Sequence, residues 1–495
     1  MPQKPDHSLF TPEQMNAVDA AAVASGIDSF GLMLRAGEAV AAAALRYFPG
    51  AFRFVVLCGP GNNGGDGYVA AKALILAGAE TVIHVFGDPA RLQGDAATAF
   101  STISRPVAPL AAYEPKAGDV VLDCIFGAGL ARPVPPEVAE VIRRVSSADI
   151  PVIAVDLPSG VDGRSGQVLG ESFRARMTVT FMALKPGHLL LPGRTLCGAV
   201  EMFDIGIPYR ILKAAAGKLE SNGPHLWHGS GHVLDPASHK YTRGHLAVFS
   251  GGPFATGAAR LSATAGLKAG AGLVTVAGTA EALAAHSAHL TAIMMKAIEK
   301  AQDLSKWLKD ARIHAFVIGP AFGDLKKARR YIQLLALAKQ PVVLDADGIT
   351  AVRDRPEVLF DAFAEGEPRL VMTPHEGEFR RLFPDLAEDL SLSKVDRALI
   401  AARRSNAVIV YKGADTVIAS PDGRAAINTD APSWLATAGS GDVLAGIIGA
   451  HLAQGMPAFE AAAAGVWRHG KTAIAVGEGL TAEDLAIRVV PLERV

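Results

Sequence analysis

Short β-rich runs alternating with helical stretches constrain this chain more than any other feature. They fall at 54–58, 81–86, 120–125, 152–155 and 178–181, and then at 245–249, 273–277, 315–318, 342–344, 370–373 and 408–411. Runs this short and apolar, separated by helical spacing, predict parallel sheets covered by helices on both faces, an α/β chain. The chain has 495 residues, beyond the roughly 250 to 300 at which one core stops growing, so at least two domains are expected. The rhythm lapses at Lys213-Ala214-Ala215-Ala216-Gly217-Lys218 and Ser221-Asn222-Gly223-Pro224. This predicts a first doubly wound α/β domain over 1–215, a linker over 216–235 and a second α/β domain over 236–495. The first helix should open at Thr11-Pro12-Glu13-Gln14, which supplies a capping hydroxyl, proline at the first helical position and a glutamine three residues after the cap.

Composition narrows the function classes. Half the residues are hydrophobic, 20% are charged and the net charge is -1, which argues against nucleic acid or an anionic membrane as partner. Cys58, Cys124 and Cys197 lie in or beside apolar runs and read as buried, reduced thiols. Residues 1–10 are polar with no apolar signal region, and no apolar run reaches about 18 residues. A soluble, unexported, cytoplasmic protein is the expectation.

Three strand ends in the first half carry unusual residues. Gly59-Pro60-Gly61-Asn62-Asn63-Gly64-Gly65-Asp66-Gly67 follows the first strand and precedes helical spacing from Tyr68 to Ala79. Its N–H groups would meet an anionic ligand at a helix N-terminus, or the glycines serve a tight turn that needs positive φ. Asp123 ends an apolar strand, where an unpaired carboxylate is costly. It needs several donors, or a hard cation shared with Asn63 and Ser159 through oxygen ligands, or else it caps a neighbouring turn. Asp156, before Leu157-Pro158-Ser159-Gly160, is a general acid or base if its pKa is raised, or an Asx turn residue.

These blocks, with Gly127-Ala128-Gly129-Leu130-Ala131-Arg132-Pro133, Lys185-Pro186-Gly187 and Asp204-Ile205-Gly206-Ile207-Pro208, resemble the NAD(P)H-hydrate epimerase family in order over about 11–210. The resemblance implies a hydrated nicotinamide nucleotide held by Asn62, Asn63, Gly64, Gly65, Asp66, the 127–133 loop and Asp156. It also implies potassium on Asn63, Asp123 and Ser159, with Asp156 as the acid/base. At C6 of the hydrate a hydroxyl shares its carbon with the ring nitrogen, so its loss gives an iminium-like carbon, and water returning to the other face inverts the centre.

The second half has its own constellation. Thr437-Ala438-Gly439-Ser440-Gly441-Asp442 leads into an apolar helix; such a turn stabilises a transferring phosphoryl group while Asp442 deprotonates the attacking hydroxyl, or it is an ordinary glycine turn. Supporting loops include Thr256-Gly257-Ala258, the loop ending at Gly323, Asp345-Ala346-Asp347-Gly348, His375 and Lys412-Gly413-Ala414-Asp415-Thr416. His375, outside any apolar face, is open to a plain surface reading. Over about 240–490 the set resembles the ribokinase-like family and, within it, the NAD(P)H-hydrate dehydratases. That implies Ala258, Gly323, His375 and Asp442 on the hydrate, and Lys412, Gly413, Ala414, Asp415, Thr416 and Gly441 on ADP with magnesium. The C6 hydroxyl would be phosphorylated and then lost as phosphate with the C5 proton. The implied protein is a bifunctional repair enzyme acting on NADHX and NADPHX, with a homo-oligomer expected. The alternative is a kinase for a small alcohol or vitamin fused to a non-catalytic nucleotide-binding module.

Overall fold

The computed structural model describes residues 7–230 and 239–492, so positions 231–235 of the expected linker lie outside the described residues. The chain divides into two compact units, Met1–Leu219 and Glu220–Val495.

In the first unit, β1 (Arg53–Cys58), β2 (Thr81–Val85), β3 (Ala108–Pro109), β4 (Asp119–Cys124), β5 (Val152–Val155), β6 (Met177–Phe181) and β7 (Ala199–Phe203) form one parallel sheet in the order β3-β2-β1-β4-β5-β6-β7. The chain winds outward from β1 to β3, returns to β4, and winds outward again. That reversal opens a crevice at the carboxyl ends of β1 and β4, the place where doubly wound sheets bind ligands. Register sets Leu57 opposite Asp123 and Cys58 opposite Cys124, so the glycine loop and Asp123 emerge side by side.

Helices α1 (Pro12–Ala24), α2 (Ser29–Tyr47) and α3 (Asn62–Leu76) pack on this unit's sheet. Thr11 caps α1, with Gln14 closing the reciprocal capping box as expected. The helix after the glycine loop starts at Asn62 rather than Tyr68, so Gly64, Gly65 and Gly67 lie within its first turns. None of the loop's five glycines has positive φ, which overturns the tight-turn reading. They are there for close approach: a Cβ on Gly59 would lie 1.9 Å from Ile125 O, and one on Gly64 2.0 Å from Gly59 O. Cys58, Cys124 and Cys197 are free and buried, as expected.

The second unit carries β9 (His245–Phe249), β10 (Leu273–Gly278), β11 (Met294–Ala297), β12 (Ala315–Ile318), β13 (Val342–Leu344), β14 (Leu370–Met372), β15 (Val408–Tyr411), β16 (Val417–Ala419) and β17 (Ala425–Ile427). β9 to β15 are parallel; β16 and β17 add an antiparallel hairpin, and β8 (Leu219–Ser221) closes the sheet's far edge. The stretch expected to be a linker therefore contains a strand, and just beyond it the buried Trp227 packs on Trp467. Polar Ser-Asn-Gly-Pro composition hid this, because edge strands need no apolar alternation on both faces.

This sheet also reverses, between β9 and β12, and the two following loops touch: a Cβ on Gly251 would lie 2.0 Å from Ala321 O. Helix Ser440–Ala453 is apolar nearly all round and runs through the core. It lies so close to helix Gly257–Lys268 that a Cβ on Gly446 would come within 2.1 Å of Ser262 O. Gly446→Val would force these helices apart and cost a few kcal/mol in overpacking. Among the described residues no helix is long and apolar enough to cross a membrane.

Candidate active sites

In the first unit a cavity of about 1140 Å³ opens at the β1/β4 crevice, walled by α1 and α2 and lined by Asn62, Asn63, Asp66, Asp156 and Lys185. Gly127, Ala128, Gly129, Leu130, Ala131 and Arg132 also line it. Pro133 lies behind this wall, near Gly170, while Gly64 and Gly65 are buried beneath the cavity, Gly65 against Met33.

Asp156 sits at the end of β5 with φ 65°, a left-handed conformation that persists only where surroundings enforce it. Its Oδ1 accepts from Lys185 Nζ at 2.7 Å and Thr180 Oγ1 at 3.0 Å, and Oδ2 accepts from Ala128 N at 2.8 Å. Lys185 N donates to His188 Nδ1, leaving His188 Nε2 to donate to Asp156 O at 2.7 Å. Burial pushes the Asp156 pKa up, but Lys185, the Ala128 N–H and His188 together outweigh it and hold the carboxyl at about 2. The expectation of a raised pKa is thus corrected: a buried lysine sits on the carboxylate. Burial and then Lys185 keep His188 neutral, at about 4.

Asp123 is fully buried below the crevice floor. Ser159 N donates to its Oδ2 and Ser159 Oγ to its Oδ1, each at 2.6 Å, while Phe126 N donates to Ser159 Oγ. Burial still raises the Asp123 pKa to about 7 against these bonds. Asn63 Oδ1 points toward Gly127 beside Asp156 Oδ2, and Asn63 Nδ2 is buried without a partner. Ser159 and Asp123 are thus bonded to each other below the crevice, while Asn63 stands at the cavity wall beside Gly127 and Asp156.

In the second unit, Gly439 (φ 83°) opens helix Ser440–Ala453 and Asp442 lies in its first turn. A Cβ on Gly441 would lie 3.5 Å from Lys412 Nζ and 3.8 Å from Asp345 Oδ2, so the glycine leaves room at a charged cluster. Lys412 Nζ donates to Asp345 Oδ1 at 2.8 Å and lies 3.9 Å from Glu378 Oε2. Burial lowers the Lys412 pKa, but Asp345 and Glu378 raise it overall. Asp442 is pushed up to about 6, by burial and then by Asp345, with Lys412 opposing. A carboxyl in that range is suited to exchanging protons near neutral pH.

The surrounding loops position this cluster. His375 N-caps helix Glu376–Leu382, its Nδ1 accepting from Gly377 N, and its own N–H donates to Glu378 Oε2. Its ring remains largely exposed beside Glu378 Oε1 at 3.5 Å. Lys394 Nζ donates to Asp415 Oδ1 at 2.5 Å and to Lys412 O at 3.5 Å, and Thr416 Oγ1 closes the 412–416 loop onto Gly413 O at 2.7 Å. Gly323 (φ 79°) donates its N–H to Asp347 Oδ2. Ala258 is half-buried in the first turn of helix Gly257–Lys268, whose Ser262 Oγ donates to Asp442 O. Gly441, Asp442, Lys412 and His375 are thereby linked through Asp345 and Glu378. Ala258 joins through its helix.

Sequence reasoning missed Lys185 as a partner of Asp156, Asp345 and Glu378 as partners of Lys412, and Asn16 and Asp19 of α1 as cavity-lining residues. A lysine beside Pro-Gly gives no sign of its aspartate 29 residues earlier in the chain. Asp19 had one signal, a polar residue on the open face of an otherwise alanine-rich helix.

Two doubly wound α/β units, the first Rossmann-like and the second ribokinase-like, each with an aspartate and a glycine-rich helix start at its strand ends, define a two-site α/β protein. Residues 29–187 match the family described as YjeF-related protein N-terminus, and residues 246–489 match NAD(P)H-hydrate dehydratase. The chain is 35% identical over 458 residues to a Thermofilum pendens protein named bifunctional NAD(P)H-hydrate repair enzyme Nnr, covering 89% of this chain and 86% of that one. It is 31% identical to the Escherichia coli protein of the same name, covering 93% and 88%. A solved ADP/ATP-dependent NAD(P)H-hydrate dehydratase from Bacillus subtilis is 24% identical, covers 54% of this chain and 95% of that one, and has a TM-score of 0.45. The chain belongs to the bifunctional NAD(P)H-hydrate repair enzyme family.

Proposed function

We propose that residues 1–215 epimerise the R and S forms of hydrated NADH and NADPH, and that residues 236–495 dehydrate the S form with ADP, releasing AMP and phosphate. The observation that carries this is the pair of separate aspartate sites, Asp156 in one unit and Asp442 in the other, in opposite electrostatic settings. In the first site, Asn62, Asn63 and the 127–132 loop orient the nucleotide while the Lys185–Asp156 pair holds a carboxylate at the reacting carbon. Asn63, Asp123 and Ser159 would hold potassium, a fit that rests on the oxygen donors these three side chains offer. The ion would supply fixed positive charge near the ligand's phosphates.

In the second site, Asp442 takes the proton of the C6 hydroxyl as the nucleotide's terminal phosphoryl group is transferred to it, over the N–H groups at the start of helix Ser440–Ala453. Lys412 and Gly441 orient the nucleotide's phosphates, with the 412–416 loop held by Lys394. Magnesium would ride on those phosphates and neutralise their charge. A cytoplasmic homo-oligomer belongs to the same reading and is checked by size-exclusion chromatography of the native protein.

The deciding experiment adds protein, ADP, magnesium and potassium to a mixture of both NADHX epimers and follows the reduced-nicotinamide absorbance. Recovery from the whole mixture is expected. Recovery of only part would remove the epimerase half of the proposal, and none with either ADP or ATP would favour a small-alcohol kinase.

A further inference from the structure

Asp156 accepts from three donors, Lys185 Nζ, Thr180 Oγ1 and Ala128 N. A carboxylate so satisfied rests ionised, so a turnover that starts from the resting site needs its first proton from another group. Epimerisation at C6 needs delivery as well, because hydroxide is a poor leaving group. The same cavity presents a second carboxyl, Asp66, from the first turns of α3. Among the described residues no side chain or backbone group donates to it, and it is half-buried where Asp19 is exposed.

We propose that Asp66 is the catalytic acid of the epimerase site, protonating the C6 hydroxyl as it departs; this rests on the epimerase reading above. The Asp66 proton goes to the hydroxyl oxygen, the C6–O bond breaks, and the ring-nitrogen lone pair forms the C=N bond of an iminium ion, releasing water. Water then adds to the opposite face, its oxygen bonding C6, the C=N pair returning to nitrogen and its proton passing to the Asp156 carboxylate. Exchange with solvent in the open cavity returns the proton to Asp66. The reverse reaction runs the same steps backward, with Asp156 giving and Asp66 receiving.

The setting agrees with this role. Burial, and then the carboxylates of Asp156 and Asp19, push the Asp66 pKa well above the usual carboxylate range. The other ionisable groups around it are Asp95 of helix Gly94–Ser101, Arg132 and Lys185 along the cavity wall, and the thiols of Cys58 and Cys124 beneath α3 at Gly67.

The test uses the full chain and one purified NADHX epimer with potassium and no ADP, following appearance of the other epimer by chromatography. Asp66→Asn should lower kcat by about 10² to 10³-fold with KM within about threefold, and Asp66→Glu should restore part of the rate with a displaced alkaline limb in the pH profile. Asp19→Asn, which alters charge in the same cavity, should cost less than about tenfold. Wild-type protein that does not interconvert the epimers would overturn the epimerase reading and this proposal with it. Active wild type with Asp66→Asn within about threefold in kcat, or with a rise confined to KM, would overturn the Asp66 assignment alone. Should Asp66→Asn fail to fold, a wild-type pH profile in Asp66→Glu does the same.

Discussion

Asp156 and Asp442 both stand at the mouth of a doubly wound sheet, yet their surroundings drive them in opposite directions. Asp156 lies against Lys185 and is held at about 2; Asp442 has Asp345 as a neighbour, with Lys412 already engaged by that residue, and rises to about 6. Sheet topology locates a carboxylate, but the next charged side chain decides what it does. One site keeps a carboxylate that rests as an anion and the other keeps a group poised to change protonation near neutral pH.

The comparison breaks most sharply at Asp442. Asp442→Asn should reduce ADP-dependent recovery of absorbance by about 10² to 10⁴-fold while epimer interconversion persists; loss of both activities would show that the sites are not independent. Asp156→Asn should do the converse, with a loss of similar or smaller size seen as one epimer persisting while the other is consumed. Lys185→Met removes the cation that keeps Asp156 ionised. It should slow epimerisation by about 10 to 100-fold and destabilise the first unit by roughly 3 to 5 kcal/mol, since a buried charge is left without its partner.

The same substitution has a pH signature. Asp156 is depressed in the folded state, so its contribution, roughly 2 kcal/mol, is present above the unfolded value near 4 and is lost as pH falls through about 2. Thermal melting of wild type should fall across that window, and Lys185→Met should flatten it. Catalysis in the second unit should respond higher on the scale. The dehydration rate should fall about tenfold per unit below pH 6, as Asp442 takes up its proton. The smallest effect is expected at Lys394→Met, which loosens the 412–416 loop from Asp415 and should raise KM for ADP a few-fold with little change in kcat.

Much of this was legible in residue order. Most expected strands in both units appear within a residue or two of their predicted bounds, because parallel strands buried on both faces read as continuous apolar runs. The Thr11 cap and the glycine-led start of helix Ser440–Ala453 were equally plain, being local in sequence. β7, β8 and β11 were not: they sit at or near sheet edges, and β11 is exposed at every residue, so no apolar run marks it. The glycines of the 59–67 loop were visible, but their purpose was misread in the positive-φ alternative. What excludes a side chain there is the backbone of β4's following loop, which only folding brings to within 1.9 Å of a Cβ at Gly59.

The sequence by itself determined two α/β units, the strand ends that carry chemistry and the aspartates at them, since strand periodicity, caps and glycine-rich turns are written in neighbouring residues. Tertiary structure alone decided which aspartate keeps its charge. Lys185 meets Asp156, and Lys412 meets Asp345, across 29 and 67 positions of chain. A charge's effect depends on ångströms and on burial, and neither is a property of sequence spacing.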